Sequence, residues 1–591
     1  MTTFEIVGDE FHLDGAPHQV IAGAIHYFRV PREYWTDRIR KAKQMGLNAI
    51  ETYVAWNLHE PVRGEWRTDG DLDLGAFIDA VHAEGMHMIV RPGPYICAEF
   101  DNGGLPHWLT DAGRTPLRCS DPRFLEPTLG FLDRVYDIVA PRQVSLGGPV
   151  ILVQIENEYG AYGRDLDYLR ALTDATRDAG ITVPLTTVDQ PRPEDLPHGT
   201  LPELLATGSF GSRAPERLAY LREVQPTGPL MCSEFWCGWF DSDLEYHHTT
   251  PAQASADALE DILAAGASVS IYMFHGGTNF ALTNGANDKG LYRPIVTSYD
   301  YDAPLSEAGH PTDKYWAFRD VIARHAPVPD DAPAEATEAP TPAATITGTA
   351  PLSRIASADG AGWVQTDHAP TFDELGAYRG FLLHESEVEV DTDACAVLRA
   401  ENVRDRVVAF ADQVRVGTIE RTLGQNTLSL PAGRYTLRLL VEDMGHVDYG
   451  CRLGEAKGLI GPVTVNGAEL TGWRTLAIDP TEAAALHALL PAARTAQDSV
   501  MLGAPSLVRA TFDVEEPTDL FLDLSGWGRG LTWVNGRLLG RHWQAGPTGT
   551  LYVPGPWLHA GDNEIVVLET EPVADAQLRF VPSAQLGPID W

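Results

Sequence analysis

The first half of the chain carries a series of about eight short apolar runs separated by helix-like stretches, and this rhythm limits its possible folds more than any other feature. The runs lie at 18–28, 48–56, 86–90, 150–154, 181–188, 205–210, 230–235 and 268–274. Between the first two, Trp35, Ile39, Ala42 and Met45 fall on one face of a helix, and Gly46 is a fitting stop. Leu74, Phe77, Ile78 and Val81 repeat the pattern at i, i+3, i+4, i+7, with Gly85 placed to cap the C-terminus. That count predicts a closed (β/α)8 barrel over residues 1–325. A doubly wound open sheet needs a glycine-rich phosphate turn after its first strand, and the sequence has none.

The second half reads differently. Residues 326–345 are rich in proline, alanine and acid and have little to bury, as in a linker or an extended strap. Beyond them the helical period gives way to alternation, as in Tyr435, Leu437, Leu439 and Val441. Asn466-Gly467 and Asn535-Gly536, each flanked by apolar alternation, predict two tight hairpins. At 591 residues the chain is too long for one core. Two all-β domains are expected after the linker, at 346–490 and 491–591, the second a jelly roll.

Composition narrows the partners. Lys plus Arg is 44 against Asp plus Glu at 82, a formal charge of −38, which repels nucleic acid and anionic membrane surfaces. No apolar run approaches the ~20 residues needed to cross a bilayer. The N-terminus shows no signal-peptide pattern, so a cytoplasmic location is expected. Six scattered cysteines fit neither a disulfide framework nor a zinc site.

Chemistry concentrates where a barrel builds its sites, at the C-terminal ends of the strands. Gln154-Ile-Glu-Asn-Glu-Tyr-Gly160 closes one apolar run, and Ser233-Glu234-Phe235-Trp236 closes another. Glu158 and Glu234 are therefore candidates for the facing carboxyl pair that cleaves a glycosidic bond. Glu156 is ambiguous, because simple alternation puts it on the same face as Glu158 and puts Asn157 opposite. If Asn157 and Glu158 both reach the site, the strand must bend or bulge there. Aromatic neighbours such as Trp236 suit the apolar face of a sugar ring. Tyr53, Glu99 and Tyr301 sit beyond other strand ends. Rival chemistries lack their motifs. Thr207-Gly-Ser209-Phe-Gly211 lacks the first glycine of a nucleophile elbow, there is no HExxH or phosphate loop, and His247-His248 reads as a solvated pair.

These motifs resemble family 35 of the glycoside hydrolases, a family of β-galactosidases. The likeness runs in order through Tyr53-Val-Ala-Trp-Asn-Leu-His-Glu-Pro61, Arg91-Pro-Gly-Pro-Tyr-Ile-Cys-Ala-Glu99, Gln154–Gly160, Ser233-Glu-Phe235, Gly276-Gly-Thr-Asn-Phe280 and Thr297–Gly309. It continues through Asp448-Tyr-Gly450, Gly458-Leu-Ile-Gly-Pro462 and Gly526–Gly536. The resemblance implies a retaining exo-β-galactosidase with Glu158 as acid/base and Glu234 as nucleophile. It implies that Asn157 holds the sugar 2-hydroxyl. Tyr53, Glu99 and the backbone at Cys97 and Ala98 would grip the galactose hydroxyls, with Tyr301 lining the same pocket. It also implies galactose-binding-like jelly rolls at the C-terminus, a β-galactoside oligosaccharide as substrate, and no metal or other cofactor. A homo-oligomer is compatible with the sequence. Over Ser242–His248 the chain departs from the family pattern, so linkage preference does not carry over. Two other readings stand beside this one: an exo-glycosidase for another β-sugar, such as glucosamine, and a catalytically silent glycan-binding protein.

Overall fold

The computed structural model describes residues 2–110, 113–357, 362–391, 395–491, 495–503 and 505–589. Eight parallel strands close into a barrel: β1 (Ile21–Ile25), β2 (Ala49–Tyr53), β3 (His87–Arg91), β4 (Val150–Gln154), β5 (Leu185–Asp189), β6 (Leu205–Phe210), β7 (Met231–Trp236) and β8 (Ser268–His275). Nearly every strand residue is buried, because side chains fill the barrel interior on one face and helices cover the other. Helices such as Trp35–Met45, Leu74–Ala83 and Pro122–Val139 follow the strands. Asp73, Asp121 and Asp165 cap three of them by accepting backbone N–H bonds in the first turn. Gly46, at φ 104°, ends the first in the left-handed conformation that glycine adopts without a steric penalty. After β5 only a single 3-10 turn, Leu196–His198, stands in for a helix.

Two expectations change. The first apolar run, at 18–28, does not stay extended: β1 stops at Ile25, and Tyr27–Arg29 forms a tight turn that carries buried Arg29 into the barrel mouth. The domain boundary at 346 also moves. Strand Ala344–Pro351 pairs antiparallel with Ser506–Val514, and Ile346 joins Val508 and Ala510 in the core of the last domain. The chain thus crosses to the C-terminal sandwich before it builds the middle one. The preceding strap is pinned where Arg319 donates to the Pro329 carbonyl (2.6 Å) and Ala339 N–H donates to that of Pro582 (2.9 Å).

The middle domain faces a six-stranded sheet with a four-stranded one. The last sets five strands against three. Both Asn-Gly hairpins form, with Asn466 at φ 49° and Gly467 at φ 83°, and Asn535 at φ 48° and Gly536 at φ 79°. Positive φ at both central positions is the turn that matches strand twist. One further sheet matters for the site. Ala286–Asp288, from the loop after β8, is the centre of three strands: it pairs with Tyr292–Pro294 on one side and with Val447–Gly450 of the middle domain on the other. A strand of an all-β domain therefore reaches the barrel mouth.

Candidate active site

Tyr53, Arg91 and Glu234 come from the ends of β2, β3 and β7, and Asn157 and Glu158 follow β4. Parallel alignment of the strands brings these ends to one face. Beyond Gln154 the chain leaves the strand and twists: Glu156 and Glu158 both adopt left-handed backbone, at φ 57° and φ 43°. This breaks the simple alternation. Glu156 swings away from the cavity into a closed ion pair, receiving Arg118 Nε (3.1 Å), Arg118 Nη2 (2.8 Å) and the Tyr168 hydroxyl (2.8 Å). Asn157 and Glu158 both line the cavity. The bend that joint access requires is thus present, and Glu156 has a structural role.

A second strained turn forms the opposite wall. Cys97, Ala98 and Glu99 are consecutive left-handed non-glycine residues, at φ 53°, 56° and 52°. Each costs about 1–2 kcal/mol, so the turn must be held by its surroundings. Arg29 Nη2 donates to the Ala98 carbonyl (2.5 Å), and Phe100 N–H donates to that of Cys97 (3.1 Å). Glu99 accepts from the Tyr299 hydroxyl.

The cavity has a volume of about 530 Å³ with its open mouth included, within the range for small-molecule sites. Tyr53, Cys97, Ala98, Glu99, Asn157, Glu158, Glu234, Trp236 and Tyr301 all border it. Trp236, Trp239 and Phe240 make an aromatic wall, with the Trp239 and Phe240 rings stacked at 4.8 Å. A larger cavity, about 870 Å³, lies between the barrel and the last domain. Its only acidic lining residue is Asp243, so volume does not locate the chemistry.

The two carboxyls have unlike surroundings. Every group that reaches Glu234 is a donor: the Tyr53 hydroxyl (2.8 Å), Arg91 Nη2 (2.5 Å) and Trp236 Nε1 (3.1 Å). These are the partners of an ionised carboxylate. Arg91 also bonds Asn157 Oδ1 (2.7 Å) and Glu51 Oε1 (3.0 Å), and it lies 4.1 Å over the Tyr53 ring. Among the described residues Glu158 has a single side-chain donor, the Ser209 hydroxyl at 2.7 Å. Burial, and then the negative charge of Glu234, push its carboxyl up to about 7. Glu99 is pushed up to about 7 as well, chiefly by burial.

Several contributors were not read from sequence. Arg91 follows the run 86–90 and opens a matched motif without a role of its own, and Glu51 lies inside the run 48–56. Ser209 belonged to a motif set aside as a failed elbow. Gln190, Tyr272, Asn287, Lys289 and Tyr449 also line the cavity, the last from the middle domain. His247-His248 is not a solvated pair: His247 is buried, and both imidazoles bond to Asp241, at 2.7 and 3.2 Å. Two groups among the described residues have metal-like donor sets, Asp101–His107–His446 and Cys97–Glu99–Asp448. Direct hydrogen bonds between Asp101 and both histidines account for the first.

Comparison with known proteins agrees with this geometry. Residues 10–325 match the family model for Glycosyl hydrolases family 35. Residues 370–479 match the first all-beta domain of beta-galactosidase, and residues 505–563 its galactose-binding domain. A beta-galactosidase of Xanthomonas manihotis is 38% identical over 560 residues, covering 93% of this chain and 91% of that one. The beta-galactosidase of Bos taurus is 40% identical over 596 residues, covering 95% and 89%. That of Homo sapiens is 39% identical over 607 residues, covering 95% and 86%. With a barrel model spanning residues 10–325 and relatives that match almost end to end, the chain belongs to glycosyl hydrolases family 35 and is a glycoside hydrolase.

Proposed function

We propose that the protein removes terminal β-D-galactosyl residues from oligosaccharides by a retaining double displacement, with Glu234 as nucleophile and Glu158 as acid and base. The observation that carries this reading is the asymmetry between the two acids. Glu234 is surrounded by donors and held by the Arg91 charge, as an attacking carboxylate must be. Glu158, with a single side-chain donor and a raised pKa, retains a proton near neutral pH and can deliver it.

The steps follow from those roles. Glu234 attacks the anomeric carbon while Glu158 protonates the leaving oxygen. The glycosyl–enzyme ester then meets a water molecule that Glu158, now ionised, deprotonates. Sugar leaves with its configuration retained and both carboxyls restored. Asn157 is anchored through Oδ1 by Arg91, which leaves its amide N–H2 group to donate to the 2-hydroxyl, where a bond strengthens as oxocarbenium character develops. Glu99 and the Cys97–Ala98 backbone are placed to read the other hydroxyls. The names of the matched relatives support galactose as the sugar.

A panel of nitrophenyl β-glycosides tests the sugar, and proton NMR of early product tests the stereochemistry. Galactoside preference with β-galactose formed first is expected. Preference for another sugar, or α-galactose first, would reject the corresponding half of the proposal.

A further inference from the structure

Asp448 belongs to the middle all-β domain, yet it lies against the sugar-gripping turn of the barrel. Its strand, Val447–Gly450, pairs with Ala286–Asp288 of the barrel loop. The side chain is completely buried. A carboxyl oxygen of Asp448, a carboxyl oxygen of Glu99 and Cys97 Sγ lie within 4.8 Å of one another. Among the described residues no donor forms a hydrogen bond of good geometry with either side-chain oxygen of Asp448, although the backbone N–H groups of Asp448 and Tyr449 lie near. The nearby Tyr95 hydroxyl donates to the Asp448 backbone carbonyl instead (2.6 Å).

The charged groups around this cluster leave it short of positive charge. From the 97–99 turn come Cys97 and Glu99. The hairpin after β8 brings exposed Lys289, whose amine lies over the Tyr449 ring at 4.7 Å. Across an adjoining cavity stand Glu158 and Arg118, and Arg118 is committed to Glu156. Two buried carboxyls this close, with no lysine or arginine among the described residues bonded to either, do not both ionise. Glu99 has the better claim to the charge, since the Tyr299 hydroxyl donates to it and Arg29 lies near. Burial, and then the charge of Glu99, push Asp448 well above the usual carboxylate range. The backbone N–H of Asp448, the charge of Lys289 and the backbone N–H of Tyr449 oppose this without cancelling it.

We propose that Asp448 is a positioning residue: a neutral carboxylic acid that donates a hydrogen bond toward Glu99 and fixes the orientation in which Glu99 meets the sugar. The middle domain is then a working part of the active site as well as a brace for the barrel. The proposal rests on the reading of Glu99 as a sugar-binding group.

The test compares wild type, Asp448→Asn and Asp448→Leu in nitrophenyl β-galactoside kinetics, galactose calorimetry and thermal melting. Asparagine supplies a donor of the same size without a titratable proton, whereas leucine supplies none. Asp448→Asn should keep KM and galactose affinity within about threefold of wild type. Asp448→Leu should raise KM about tenfold or more with a smaller change in kcat, the loss expected for one buried hydrogen bond. A tenfold loss of galactose affinity in Asp448→Asn would overturn the proposal, because it would show that a charge is needed at this position. This holds even if the leucine variant fails to fold. An unchanged KM in folded Asp448→Leu would overturn it too. So would a wild-type KM that shifts with EDTA or on exchange of sodium, potassium, magnesium or zinc, since a bound cation would then join the two acids. Wild type inactive on galactosides would instead reject the functional reading beneath it.

Discussion

The catalytic cavity and the seam between the β domains both shelter glutamates from water, and Glu442 of the seam and Glu158 of the cavity are treated in opposite ways. In the seam, Arg529 grips Glu442 with two nitrogens at 2.9 and 3.0 Å, and Arg406 stands 3.6 Å away. Burial alone would raise the Glu442 carboxyl, but Arg529, with help from Arg406 and Arg541, holds it below the ordinary range. In the catalytic cavity one arginine, Arg91, is divided between Glu234, Glu51 and Asn157. Glu158 and Glu99 are left without a bonded cation, and both are pushed up to about 7. The two-nitrogen grip of Arg529 sets Glu442 apart from Glu158 and Glu99, which have no bonded cation among the described residues. A shared arginine is not enough: Glu420, beside Arg406 in the same seam, and Glu51, bonded to Arg91, are both pushed up to about 7 by burial.

The contrast can be broken at its strongest point first. Glu234→Gln should keep the fold and lower kcat by about 10⁴-fold or more, since no other group can form the covalent ester. Glu158→Gln should cost about 10²–10⁴-fold on natural leaving groups, and less on nitrophenolate, which leaves without a proton. Equal losses on the two substrates would remove Glu158 from the acid role.

The seam should respond in stability instead. Glu442→Gln removes the bonded carboxylate of buried Arg529, leaving Asp243 at 3.6 Å, and should destabilise by about 3–5 kcal/mol in chemical denaturation. Activity per folded molecule should be nearly unchanged. A large loss of kcat in that variant would erase the proposed division between the two regions.

Protonation sharpens the comparison further. Glu158 must be protonated to act, so kcat/KM should fall as pH rises through about 7. The same raised pKa makes a stability statement. A carboxyl whose folded pKa lies above its unfolded one supports the fold at low pH and loses that support as pH rises through the folded value. Glu158→Gln should therefore gain about 1–2 kcal/mol over wild type at pH 8, with little gain below the ordinary carboxylate range. Denaturant titration at the two pH values measures this. A gain equal at both would contradict the buried-acid reading.

Much of this was legible in the chain. Local period reported the barrel, and Asn-Gly reported both hairpins, because these signals arise within a few residues. Glu158 and Glu234 stood out because acids at the ends of apolar runs break the pattern. What was hidden depends on register between distant strands. Arg91 meets Glu234 across 143 residues of sequence and Tyr299 meets Glu99 across 200, and no local pattern encodes such pairings. Glu156 could not be sorted from Glu158 until the left-handed turns were seen. Strand Ala344–Pro351 read as the start of the nearest β domain, although its partner strand lies beyond residue 500. Tyr449 and Asp448 were matched as motif residues, but their arrival at the barrel mouth depends on how the domains pack.

The most direct test of the central claim is to trap the enzyme with a 2-deoxy-2-fluoro-β-galactosyl donor that carries a good leaving group, then locate the adduct by peptide mass spectrometry. One fluorogalactosyl group on Glu234, absent from Glu234→Gln, is the predicted result. Turnover with no adduct, or an adduct on Glu158, Glu99 or any other residue, would contradict the account.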